Sequence, residues 1–143
     1  MTTDIGLQYF SRKELQCHQS GGFQLQPENK PVDYPGFGAR IDELREKWGK
    51  PLIVNSCCRS AAYNATLDES SPHSLHVWDT PFYAHLGQVG TCAIDIAETS
   101  QEFRDLAWSL GFSLGMGKTF THCDDRYKVI GLPQTKFYYS VRG

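Results

Sequence analysis

An α+β architecture, with helices flanking a small and mostly antiparallel sheet, is what this 143-residue sequence predicts. Helix-like and strand-like segments both occur, but without the regular alternation of a parallel βαβ fold. Two tracts, "TCAIDIA" at 91–97 and "TFTHCDD" at 119–125, have strand character. No repeat, linker or low-complexity tract divides the chain, so a single domain over 1–143 is expected, long enough to bury a real core.

The elements follow in order. Ser11-Arg12-Lys13-Glu14 is a capping box, which predicts a short helix from about residue 12. Residues 19–37 hold Gly21, Gly22, Pro27, Pro31, Pro35 and Gly36 and are expected to be loop. Between Ala39 and Trp48, the apolar residues Ile41, Leu44 and Trp48 recur at helical spacing, and Gly49 supplies a C-cap. Residues 51–55 read as a strand, and 60–67, Ala-rich and opened by Ser60, as a helix. A strand at 91–97 precedes a second capping box, Thr99-Ser100-Gln101-Glu102, which opens a helix through Phe103, Leu106, Ala107 and Leu110 and stops at Gly111. Short strands are expected around 112–116, around 119–124 and over 136–141.

Composition excludes several classes of function. The net charge is −2 and the 14 basic residues are scattered, which argues against nucleic acid and against a polybasic membrane patch. No stretch approaches the ~20 apolar residues of a membrane helix, and "MTTDIGLQYFSRKELQ" is not a signal peptide. The expected location is therefore a cytoplasm, until something else releases the protein. Cys17, Cys57, Cys58, Cys92 and Cys123 are odd in number and contain no C-x-x-C pair, so buried free thiols are expected.

Histidines are the residues that invite chemistry. His73, His76 and His85 crowd one segment ahead of Asp95, and His122 lies in the later strand. Asp95 alternates with Ile94 and Ile96, so it points to the face opposite both. His122 and Asp124 share a face by the same period, while Asp125 and Cys123 face away. Two imidazoles and one carboxylate are the three protein ligands of an open zinc site. On spacing alone, surface and core-satisfied histidines are an equally good reading.

The order of motifs resembles the zinc D-Ala-D-Ala carboxypeptidase family of murein peptidases, which shares its fold with the hedgehog signalling domain. The residues that carry the resemblance are "IVNSCCRSAAYN" (53–64), "SLH" (74–76), "GTCAIDIA" (90–97) and "FTHCDDR" (120–126). The opening "YFSRKELQCHQSGG" is similar to the phage and bacterial subgroup of that family. The resemblance implies His76, Asp95 and His122 as zinc ligands, Arg59 as the cation that holds a substrate carboxylate, and Ser74 as a neighbour of the metal able to bond substrate. Asn64 is expected to be structural. Relatives with a glutamate three residues before the last histidine use it as a base; Thr119 stands there, so the role passes to Asp124.

The clearest departure from the family pattern is the spacing that follows the first histidine. His76 and Asp95 are nineteen residues apart, which marks about 77–89 as an inserted loop. His73, preceded by Ser71, is the second choice of ligand, and His85 has no such serine. Trp78, Phe82 and Tyr83 of the insert either wall the cleft or cover the sheet. The implied activity is zinc-dependent hydrolysis of peptidoglycan stem peptides, as a carboxypeptidase or an endopeptidase. The implied setting is a monomeric phage or prophage lysin, in the host cytoplasm before release or on the phage particle. The alternative is a non-catalytic, zinc-stabilised binding or structural protein of the same fold.

Overall fold

The computed structural model of the chain describes residues 2–67 and 73–139. Among the described residues five helices, α1 (Arg12–Leu15), α2 (Phe37–Trp48), α3 (Ala61–Thr66), α4 (Gln101–Ser109) and α5 (Arg126–Ile130), accompany five strands. These are β1 (Val54–Ser56), β2 (Ala93–Ile96), β3 (Ser113–Met116), β4 (Thr121–Asp124) and β5 (Lys136–Tyr138). The sheet order is β1-β2-β4-β3-β5; every pairing is antiparallel except β3 with β5. The α+β expectation holds; each expected strand is present in shorter form, the first displaced from 51–55 to Val54–Ser56. Residues 140–141 of the last one lie outside the described residues. Among the described residues no helix is long and apolar enough to cross a membrane.

Local chemistry sets the helix ends. Ser11 and Glu14 form the reciprocal capping box of α1. Helix α2 starts two residues earlier than its periodicity indicates, because Phe37 joins Ile41 and Leu44 on the buried stripe. It stops at Gly49, whose N–H donates to the Arg45 carbonyl. The second capping box does not form. Glu98 takes the Ser100 N–H, and Ser100 itself becomes the cap, accepting from the Phe103 N–H. Helix α5 was not expected; its signal is one apolar pair, Val129 and Ile130, buried just before Gly131.

Ile94 and Ile96 of β2, Cys123 of β4 and Leu114 of β3 enter the core beside Phe37, Ile41, Phe103, Ala107 and Phe112. Each large apolar side chain buried this way contributes about 1.5–3 kcal/mol. Trp48 meets Phe103 edge-on at 5.2 Å and so joins α2 to α4. The five cysteines are free and buried, as expected.

Two buried polar clusters fix the loops. Arg40 of α2 grips Asp125 with two bonds of 3.0 and 2.9 Å, Tyr34 donates to the same carboxylate at 2.6 Å, and the guanidinium lies over Phe112. This ties α2 to the end of β4. Gln26 accepts from the Val89 and Gly90 N–H groups, while Gln88 donates to the carbonyls of Leu75, Val77 and Gly90. The segment 77–89, with its 3-10 turn Ala84–Leu86, is held by these two amides. Gly90 follows it with no room for a side chain, since a Cβ there would lie 2.6 Å from the Leu25 backbone.

Candidate metal centre

One row of residues crosses all five strands. Ser56 of β1 pairs with Asp95 of β2, Asp95 with His122 of β4, His122 with Gly115 of β3, and Gly115 with Phe137 of β5. Directly paired residues share a face, so this row lies on the side of the sheet away from Ile94. His76 comes from the loop before β2. It is placed by Arg59, whose N–H donates to the His76 carbonyl, and by Thr91, whose hydroxyl donates to the same oxygen.

His76, Asp95 and His122 converge, their ligating atoms all within 4.8 Å of one another. Asp95 Oδ1 is the shared point: His76 Nε2 lies 3.2 Å away and His122 Nδ1 2.9 Å. His73 takes no part; its ring stacks on Phe82 at 3.7 Å, and His85 sits in the same aromatic group. Ser71, the basis for that alternative, is outside the described residues.

The hydrogen bonding tests whether this donor set suits a cation. His76 Nδ1–H donates to the Cys57 carbonyl at 2.6 Å, so a neutral His76 turns the lone pair of Nε2 toward Asp95. Burial first, and then Arg59, push the His76 pKa down, which keeps the ring neutral. A lone pair facing a carboxylate oxygen is repulsive unless a cation sits between them. His122 Nε2 lies 2.8 Å from Asp124 Oδ2, so its Nδ1 is the atom left for Asp95. Burial opposes protonation of His122, but the Asp124 and Asp95 carboxylates outweigh it and raise its pKa to about 9. Burial likewise opposes ionisation of Asp95; the hydrogen bond and charge of protonated His122 overcome this and hold its carboxyl well below the usual range. A metal ion would replace the His122 proton and relieve the His76 contact. The group fits zinc.

A pH dependence follows. The raised His122 pKa stabilises the metal-free fold fully below the ordinary histidine range, and that contribution is lost as pH rises through about 9. Metal binding must expel the same proton, so apparent zinc affinity is expected to climb by up to about tenfold per pH unit below that point. Chelator competition between about pH 6 and 8 checks this; a flat response would contradict the assignment.

The remaining expected residues lie where their chemistry can be judged. Arg59 is partly buried, donating to Asp95 Oδ2 at 3.0 Å, to Ser56 Oγ at 3.0 Å and to Asn64 Oδ1 at 3.4 Å. Asn64 thus has the structural part expected of it. Ser74 Oγ accepts from the His76 N–H at 3.2 Å and tightens the turn that presents the ring. Asp124 shares the face of His122 but is 0% exposed. Its oxygens are taken by His122 and by Arg126, which donates through Nε at 3.0 Å and Nη2 at 2.7 Å. Asp125 turns away toward Arg40, as its alternation indicates.

An open cleft of about 330 Å³ adjoins the centre, lined by His18, Asn55, Ser56, Arg59, Tyr63, Leu67, Asp95 and Phe120. The aromatic residues of the insert are elsewhere: Phe82 and Tyr83 pack with His73 and His85, and Trp78 fills the space over Gly22. The centre has neighbours that sequence reasoning missed. Phe137 and Tyr139 stand 5.6 and 6.5 Å from His122, in the space left by Gly115, where a Cβ would lie 2.6–2.8 Å from their rings. Gly115→Ala is therefore expected to displace the rings and cost about 1–3 kcal/mol, read as a lower Tm.

His76, Asp95 and His122 thus form a group that could hold a metal ion. The chain belongs to the peptidase M15 family, whose model matches residues 8–124, a span that includes all three convergent residues. Neither a curated relative nor a solved structure is significantly similar to the chain.

Proposed function

We propose that this protein is a zinc-dependent peptidase that hydrolyses the peptide stems of bacterial peptidoglycan, acting as a phage or prophage lysin. The observation that carries the reading is the convergence of His76, Asp95 and His122 beside a cleft that also presents Arg59. His76 Nε2, Asp95 and His122 Nδ1 would hold the ion. Bound there, zinc supplies Lewis-acid polarisation of a scissile carbonyl and of the attacking water.

The chain's own residues do the rest. Arg59, anchored by Ser56 and Asn64, keeps a guanidinium at the cleft wall, suited to a carboxylate of the stem peptide. The Cys57 carbonyl fixes the tautomer of His76, and Asp124 that of His122. Asp124 thus acts through His122; with both oxygens occupied and no exposure, it has no path to a proton in the cleft.

Product analysis on purified peptidoglycan tests the reading, with release of stem fragments by the zinc-loaded chain as the expected result. Asp124→Asn is expected to weaken zinc binding about 10–100-fold, with cleavage recovered at saturating zinc. Lost cleavage with unchanged zinc affinity would return Asp124 to the role of base. The second reading, a non-catalytic zinc-stabilised binding protein, draws on Thr119 and on the burial of Asp124. Zinc binding without any cleavage would favour it.

A further inference from the structure

We propose that His18 is the proton-transfer residue of this cleft, an inference that rests on the peptidase reading. Amide hydrolysis needs a group that takes a proton from the attacking water and delivers it to the departing amine. The two acids at the end of β4 are engaged elsewhere. Asp124 is held by His122 and Arg126, and Asp125 by Arg40 and Tyr34. Thr119 carries no titratable group.

Among the described residues, the titratable side chains lining the cleft are His18, Arg59, Tyr63 and Asp95. Asp95 is committed to the two histidines and to Arg59. A guanidinium has no proton to exchange at neutral pH, and a phenol is a poor proton acceptor there. Among the described residues imidazole is the remaining group, and it is a side chain type suited to moving protons near neutrality.

His18 is exposed, on a short turn that is nonetheless fixed. Cys17 donates its N–H to the Gly22 carbonyl and accepts at its own carbonyl from Gly21 N–H, closing the turn. The buried Cys17 Sγ accepts from the Ser60 N–H at 3.5 Å and lies 3.8 Å from Ser60 Oγ. Ser60 directly follows Arg59 and caps α3, so the thiol pins the His18 turn to the wall that carries Arg59. The His18 ring stands 6.2 Å from that of Tyr63, the next residue along this wall. This accounts for the cysteine-bearing loop, which the metal centre leaves without a role.

In the step itself, the neutral imidazole of His18 accepts a proton from water as the water oxygen bonds to the scissile carbonyl carbon. The imidazolium then gives that proton to the amide nitrogen as the C–N bond breaks. An acid and an amine leave, and His18 returns to its neutral form.

The test compares the zinc-loaded wild type with His18→Gln and His18→Ala on a synthetic stem peptide. His18→Gln is expected to lower kcat by about 10²-fold or more, with KM and zinc content unchanged and the acidic limb of the kcat/KM profile lost. Added imidazole is expected to restore part of the activity of His18→Ala. In the metal-free wild type, where no turnover intervenes, the His18 ring resonances are expected to move when the stem peptide is added. Unchanged kcat would overturn the proposal, as would a lower kcat with the wild-type pH profile and no imidazole rescue, which marks a structural role. A wild type that binds zinc yet cleaves no stem peptide overturns the peptidase reading itself, and the role of His18 with it.

Discussion

Asp95→Ala is expected to abolish both zinc retention and peptidase activity. Asp95 Oδ1 is the meeting point of His76 and His122, and Oδ2 receives Arg59. Removing it deletes one of three ligands, so the loss of zinc affinity should exceed the roughly 10–100-fold expected for an outer hydrogen-bond partner. The metal-free protein should suffer as well. Arg59 loses its ion pair, and the positive charge of His122 loses one of two carboxylates. Asp95→Asn separates these effects, because its amide oxygen still accepts from Arg59 while the ligand charge is gone. A Tm between those of the wild type and the Ala variant, with lost zinc in the Asn variant, measured by calorimetry and metal analysis, is the expected pattern. Retained zinc in either variant would mean that the ion sits elsewhere.

The largest expected effect on stability belongs to Asp125→Ala. Asp125 is fully buried and receives three bonds, two from Arg40 and one from Tyr34. Truncating one partner of a buried pair leaves an uncompensated charge, here the Arg40 guanidinium, and costs about 3–5 kcal/mol. The damage should reach the site, since Asp125 follows β4 directly and its N–H donates to the Cys92 carbonyl at the approach to β2. Urea unfolding should show a lower midpoint at an unchanged slope. A double variant with Arg40→Met should recover part of the loss, because it removes the stranded charge. A midpoint equal to that of the wild type would show that the pair contributes nothing net.

Much of this site was legible because strand periodicity is local. Ile94-Asp95-Ile96 places a carboxylate opposite its isoleucine neighbours from three residues alone, and His122-Cys123-Asp124 places an imidazole and a second carboxylate together on one face of their strand. The convergence was not legible. That Asp95 faces His122 depends on β2 pairing with β4 in one register, a contact between distant residues, and only the order of motifs hinted at it. The choice among His73, His76 and His85 likewise turned on the resemblance until the fold separated them.

Other features had no usable signal. Gly115 looks like any strand glycine until Phe137 and Tyr139 occupy the space a side chain would fill. Gln26 and Gln88 carry no sequence signal for burial, yet both are buried and hold the segment 77–89. The capping box at Thr99 failed because two adjacent hydroxyl residues compete for one cap, and Glu98 decides for Ser100 from outside the motif. For Asp124, strand periodicity indicates the face it shares with His122 but carries no signal of its burial.

The central claim is that two imidazoles and one carboxylate of this chain hold a zinc ion. Metal analysis combined with zinc-edge X-ray absorption on the purified protein tests it most directly. The expected result is one zinc per chain, coordinated by nitrogen and oxygen at about 2.0–2.2 Å with no sulfur neighbour. Sulfur at about 2.3 Å would move the ion to the buried cysteines, and the absence of zinc would contradict the account outright.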